Sequence, residues 1–169
     1  MHRWTTRDLT LAAVVAAMYT VLGYFGDIFG LTFGPVQIRF AEALTVLPFL
    51  FPATAPGLVI GCLLTNLLSP YGVVDVVFGT LATAIAAVLT MKMPRWYLAA
   101  LPPIVINMLI LPPIWAWAET GAFGSAFLAA LGWNAVTFAA GEALACYVLG
   151  TILLKALPKI PYFRPMLRS

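Results

Sequence analysis

The chain has 169 residues, 63% of them hydrophobic and only 9% charged, with a mean hydropathy of +1.00. Water-soluble domains carry roughly 25% charged residues, so a soluble fold of this size would leave too much apolar surface against water. The formal charge of +3 is small, and eight of the nine basic residues lie at the two ends and in one loop, which argues for membrane orientation rather than nucleic-acid binding.

At about 20 residues per span, this length allows five or six crossings within one membrane domain and little else. In chain order, Leu9 to about Ile28 reads as the first span, opened by Thr5 or Thr6 as a cap with Asp8 in the first turn. Arg3 and Arg7 precede it and no cleavage site is evident, so a retained span is expected rather than a removed signal peptide. Gly30 to Val36, with Gly34 and Pro35, reads as a loop. Two short apolar pieces follow, Ala41–Phe51 and Gly57–Leu68, joined by a turn from Pro52 to Pro56. Neither fills a hydrocarbon core of about 30 Å; they read either as short tilted spans or as a shielded helical hairpin.

Ser69-Pro70-Tyr71-Gly72 is a turn. Asp75–Met91 is the next span, Lys92–Arg95 a basic loop, and Tyr97–Trp117 a span interrupted by Pro102-Pro103 and Pro112-Pro113. Ala118–Ser125 reads as a loop, and Phe127–Leu154 as a long last span. With the amino terminus inside and six crossings, Arg3, Arg7, Lys92, Arg95, Lys155, Lys159, Arg164 and Arg168 all face the cytoplasm, and only Arg39 of the nine basic residues does not. The expectation is an all-α, multi-pass protein of the cell membrane, with six transmembrane helices and both termini cytoplasmic. Asp27, Glu42, Asp75 and Glu119 then fall in the outer half, favouring a cationic or hydrogen-bond-donating ligand there.

Polar groups within lipid-spanning segments are costly and usually face a cavity or a partner. The candidates for substrate contact are Gln37, Arg39, Glu42, Asn66, Asp75, Asn107, Asn134 and Glu142. Arg39 and Glu42 are three apart and share a helix face, as an internal ion pair or a ligand clamp. Asn134, Phe138 and Glu142 lie four apart on one face, and a charge at Glu142 would need a partner, a proton or a ligand. Asn107 is placed either for ligand or for a carbonyl freed by nearby prolines. Tyr71, Trp115, Trp117 and Trp133 read as an interfacial belt, with Tyr71 and Trp133 also candidates for stacking on a planar ligand.

Ala12, Ala13, Ala16 and Ala17 make two overlapping Ala-x-x-x-Ala pairs, a spacing that lets another helix approach, within the chain or from another subunit. Cys62 and Cys146 lack a CxxC pattern and read as buried apolar residues, and His2 is the only histidine. No metal site or cofactor is expected, and the absence of GxxxxGK[ST], G-x-S-x-G and HExxH gives an enzyme no support.

The runs Phe33-Gly-Pro-Val-Gln-Ile-Arg-Phe-Ala-Glu-Ala-Leu-Thr-Val-Leu-Pro48, Gly61-Cys-Leu-Leu-Thr-Asn-Leu-Leu-Ser-Pro70 and Asp75-Val-Val-Phe-Gly-Thr-Leu-Ala-Thr83 resemble the queuosine-precursor transporter (QueT) family. The likeness extends over most of the chain and is weakest in the proline-rich fifth span and the tail. That family belongs to the substrate-binding S components of energy-coupling factor (ECF) transporters. The resemblance implies a six-helix S-component bundle, capture of a 7-deazaguanine queuosine precursor from outside, and partnership with a transmembrane T component and two ATPase subunits. It further implies that Ala12, Ala13, Ala16 and Ala17 contact the T component. The alternatives are an S component for another vitamin or nucleobase, and a small stand-alone transporter or channel subunit.

Overall fold

A computed structural model describes residues 4–32 and 38–167. The described residues form helices joined by turns, with no strand among them. Four segments are long and apolar enough to cross a bilayer: Thr6–Ile28, Val73–Met91, Trp96–Thr120 and Ser125–Lys159. Leu9, Val21, Phe25, Val77, Leu81, Leu109, Leu128 and Val136 are exposed on them, as expected of faces turned to lipid rather than water.

Helix α1 (Thr6–Ile28) opens on a capping box. Thr5 accepts from the Asp8 amide, and the Asp8 carboxylate accepts from the Thr5 amide at 2.9 Å, satisfying two donors that a helix start otherwise leaves open. Past the loop, Phe40–Phe49 is a ten-residue 3-10 helix, and α2 (Ala55–Asn66) is a twelve-residue α-helix. At rises of about 2.0 and 1.5 Å per residue, each is shorter than a full span. Their connection, Leu50–Thr54, reaches the end of the bundle where the described chain begins and ends, and Phe51 there lies 5.6 Å from Phe163. The two short pieces therefore form a helical hairpin whose 3-10 arm is buried, while α2 with its cap Leu67 keeps Ile60, Leu63, Leu64 and Leu67 exposed on one face.

The α1–α2 contact is set by small residues. A Cβ on Gly57 would overlap the Ala12 carbonyl oxygen, and one on Gly61 would sit 2.8 Å from the Ala16 carbonyl oxygen. Ala12 against Gly57, Ala16 against Gly61 and Gly23 against Thr65 advance together, so the two helices run parallel. Without side chains between them, backbones can approach closely, which is how helices gain packing energy where no hydrophobic effect acts. Ala12 and Ala16 thus serve an internal contact, while Ala13 and Ala17 are exposed.

Helix α3 (Val73–Met91) returns toward the terminus end. Helix α4 (Leu101–Thr120) follows a 3-10 turn at Trp96–Leu98. Pro102 and Pro103 lie in its first turn, where no amide is needed, so they start the helix rather than interrupt it. Pro112 and Pro113 lie inside it, and α4 continues to Thr120. The expected loop Ala118–Ser125 is therefore shorter, and α4 ends on Gly121 at φ 66, a left-handed cap suited to glycine.

The last rod comprises α5 (Ser125–Ala143), a π-helical segment (Leu144–Gly150) and α6 (Thr151–Ala156). Along it Cys146 meets Thr45, and Gly150 meets Val46 and Ala43, so the rod and the 3-10 helix descend side by side. Leu11, Met91, Leu153 and Leu157 pack on one core cluster, and Lys155 lies 4.7 Å from the Trp96 ring centroid. The start of α1, the α3–α4 loop and the end of the rod therefore share one end of the bundle.

A buried polar cluster as the candidate binding site

The 3-10 helix enters the bundle between α1, α3 and the last rod, and it carries the charges inward. Arg39 and Glu42 are 5% and 1% exposed, and Asp75 and Glu142 are 1% exposed. Ion pairs this deep must recover several kcal/mol of desolvation per charge, so their partners define the site.

Glu42 Oε1 accepts from the Tyr19 hydroxyl at 2.5 Å and lies 4.0 Å from Arg39 Nη1. Arg39 Nη2 is 3.7 Å from Asp75 Oδ2, and Arg39 Nε donates to the Thr32 carbonyl at 3.4 Å. The other Asp75 oxygen, Oδ1, accepts from Trp115 Nε1 at 3.1 Å. Asn66 does not reach that carboxylate; its Nδ2 donates to the Asp75 backbone carbonyl at 3.1 Å and to Cys62 Sγ at 3.3 Å. This holds the start of α3 against the end of α2, and Gly79 leaves room for the amide.

Trp115 and Phe138 form an edge-to-face pair with centroids 5.3 Å apart. The Arg39 guanidinium carbon lies 5.7 Å from the Trp115 centroid and 5.6 Å from that of Phe138, within cation–π range of both. One turn beyond Phe138, Glu142 Oε1 accepts from Asn107 Nδ2 at 2.8 Å. Asn107 therefore does not serve a carbonyl freed by the α4 prolines. One turn further, Cys146 Sγ donates to the Glu42 carbonyl at 3.4 Å, so the Glu142 face of the rod looks onto the 3-10 helix.

Four buried oxygens here have no hydrogen-bond donor: Glu42 Oε2, Asp75 Oδ2, Asn107 Oδ1 and Glu142 Oε2. All are acceptors. Leaving a buried acceptor without a donor costs about 1–3 kcal/mol, so a cluster of them marks a place built to receive donors.

Above the cluster, Tyr71 stacks on Trp115 with centroids 5.5 Å apart and planes at 21°. Its hydroxyl donates to Glu119 Oε1 at 3.0 Å, and Asn134 Nδ2 donates to both Glu119 oxygens at 3.1 and 3.2 Å. Burial, with Glu119 beside it, pushes the Tyr71 phenol up to about 12, so it remains a donor at neutral pH. Asn134 is thus drawn to Glu119 and is half-buried, although it shares a helix face with Phe138 and Glu142.

The structure brings together Arg39, Glu42, Asn66, Asp75, Asn107, Phe138 and Glu142, with Tyr71 and Asn134 as a second layer. Trp133 is 60% exposed and stands apart, as does Trp117, whereas Trp115 is 1% exposed and belongs to the core. The expected aromatic belt therefore divides: the indole N–H of Trp115 is bound to Asp75, which draws the ring inward. Gln37 lies outside the described residues. Sequence reasoning missed Tyr19 as a member of this site. Its signal was a hydroxyl in mid-span on the same face as Ala12 and Ala16, because a buried Tyr hydroxyl usually finds a partner.

Residues 9–159 match the QueT transporter family. The chain belongs to the QueT transporter family. This is a transporter family, not an enzymatic one. The "Queuosine precursor transporter QueT" of Lactococcus lactis subsp. cremoris (strain MG1363) is 33% identical over 85 residues, a stretch covering 50% of this chain and 50% of that relative. The aligned region thus spans half the length of the relative. No solved structure matches the chain significantly. As a QueT-family chain with four apolar spans it is a multi-pass membrane protein.

Proposed function

We propose that this QueT-family chain is the substrate-binding S component of an ECF-type importer, taking up a 7-deazaguanine precursor of queuosine. The observation that carries the ligand class is the set of donor-less buried acceptors, Glu42 Oε2, Asp75 Oδ2, Asn107 Oδ1 and Glu142 Oε2, beside the Trp115–Phe138 pair. A 7-deazaguanine presents N1–H and a 2-amino group along one edge, the donors a carboxylate can accept in parallel. Its flat ring suits an aromatic neighbour. The name of the Lactococcus relative supports the same class.

The orientation proposed is that of the basic residues: termini and the Lys92–Arg95 loop on the cytoplasmic side, and the cluster opening outward. The chain carries no P-loop motif, so energy would come from ATPases reached through a T component. The exposed Ala13 and Ala17 on α1 are the small-residue surface left for that partner, because Ala12 and Ala16 are taken up by α2.

The test is calorimetry on purified protein in lipid nanodiscs, with 7-deazaguanine bearing or lacking an aminomethyl group at C7. Saturable one-to-one binding is expected. Folded, monodisperse protein that binds neither compound would rule out the ligand class. Copurification with a T component and two ATPases tests the assembly separately.

A further inference from the structure

The guanidinium of Arg39 occupies the part of the cluster that a planar donor would use. It stands between two carboxyl groups, 4.0 Å from Glu42 and 3.7 Å from Asp75, and against both aromatic rings. These carboxyl distances exceed the roughly 2.7–2.9 Å of a charge-assisted hydrogen bond, and Glu42 Oε2 and Asp75 Oδ2 remain without a donor. The cavity bordered by Arg39 with Tyr19, Gly23, Thr32, Ala41, Thr65 and Asn66 is only about 10 Å³, room for about one water. The slot among Glu42, Asp75, Trp115 and Phe138 is filled by the guanidinium itself, so a base could occupy it only once the guanidinium has left.

The two occupants share a planar CN3 unit with N–H donors along one edge, although the guanidinium is charged and the base edge is neutral. C2 of a guanine-type ring is bonded to three nitrogens, so that edge of the base is itself a guanidine. We propose that Arg39 is an internal stand-in for the ligand: its guanidinium holds the place of the base's guanidine edge among Glu42, Asp75, Trp115 and Phe138, and leaves when the base arrives. This rests on the ligand class proposed above. The backbone permits the exchange. Arg39 precedes the 3-10 helix in an extended conformation, φ −90 and ψ 90, so its side chain can give up the Thr32 carbonyl and change rotamer without unwinding a helical turn. In the empty protein the arginine limits the cost of adjacent buried carboxyl groups. In the loaded protein the N1–H and 2-amino donors of the base take over the hydrogen bonds to those carboxyl groups. An occupant that must leave lowers apparent affinity by the fraction of time it is out.

The first experiment needs no deazaguanine. Methylguanidinium is added to Arg39→Ala and to wild-type protein in nanodiscs, and thermal unfolding is followed. A rise in midpoint for the variant alone is expected, and equal shifts in both proteins would overturn the assignment of the slot. If Arg39→Ala is recovered monodisperse only when methylguanidinium is present, that counts for the proposal; poor recovery that methylguanidinium does not improve counts against it.

The second experiment uses wild-type protein and 7-aminomethyl-7-deazaguanine, with phenylglyoxal modification of Arg39 read by peptide mass spectrometry. Displacement predicts that the base increases modification of Arg39, whereas an arginine that stays and contacts the base would be protected. Arg39→Ala should bind the base about tenfold more tightly or better, because the internal competitor is gone, and methylguanidinium should compete. Loss of affinity restored by methylguanidinium would overturn displacement. If wild-type protein binds no deazaguanine while the methylguanidinium effect holds, the slot stands and the ligand class fails.

Discussion

Glu142 and Tyr19 contribute differently to the cluster, and isosteric changes separate them. Glu142 offers one oxygen to Asn107 and keeps the other without a donor. Glu142→Gln retains an acceptor for Asn107 but replaces the donor-less Oε2 with an amide NH2, removing an acceptor from the lining beside Glu42 and Asp75. Deazaguanine affinity is expected to fall at least tenfold, about 1.4 kcal/mol, with little change in the unfolding midpoint. Calorimetry and thermal unfolding on the same sample check this, and unchanged affinity would remove Glu142 from the ligand contacts. Tyr19→Phe deletes the donor to Glu42 and leaves a buried carboxyl oxygen exposed to the cost of desolvation. A stability loss of about 1.5–3 kcal/mol is expected, the usual range for a hydrogen bond to a charged group, read as a lowered midpoint of the ligand-free protein. Glu142 was legible in the sequence because an acid deep in an apolar run must be explained. Tyr19 was not, because a tyrosine in a membrane helix draws no attention until its hydroxyl is seen to meet a carboxyl group 23 positions away.

Among the elements, α1 has two faces of different fate. Gly57→Val would force β-branched bulk into the Ala12 backbone, and overpacking at such a crossing typically costs 1–3 kcal/mol or more. Loss of monodisperse protein or a large fall in midpoint is expected. Ala13→Leu with Ala17→Leu adds bulk only on the exposed face; the isolated protein should keep its midpoint and its ligand binding, while copurification with a T component falls. Retained assembly would place that interface elsewhere. The overlapping alanine pairs were visible in the sequence, but spacing alone does not say which pair faces inward. A helix turns about 100° per residue, so neighbouring pairs look in different directions, and the glycines of α2 select one of them. The 3-10 helix and α2 illustrate the same limit: their shortness was plain, yet only tertiary packing shows that the first is buried and the second keeps one face exposed.

For the whole molecule, both ends of the described chain and the α3–α4 loop lie together, and the turns after α1, α2 and α4 lie at the opposite end. The basic residues then assign the sides. Single cysteines introduced at Gly30, Ala122 and Met93, in a background with Cys62 and Cys146 replaced by alanine, test this in intact cells. An impermeant maleimide should label positions 30 and 122 and leave 93 untouched until the membrane is opened. The reverse pattern would invert the proposed orientation and turn the site's mouth toward the cytoplasm.

The sequence by itself determined that the chain lives in a membrane, roughly where its long spans begin and end, and which polar residues needed an explanation. Each of these follows from transfer free energies and local turn chemistry, which depend on residue type and near neighbours alone. Only the tertiary structure decided that Trp115 turns inward to Asp75, that Ala12 and Ala16 meet glycines, and that Arg39 lies between two carboxyl groups and two rings. Those choices are made between segments far apart in the chain, where helix rotation and close packing, rather than composition, select which side chains share one space.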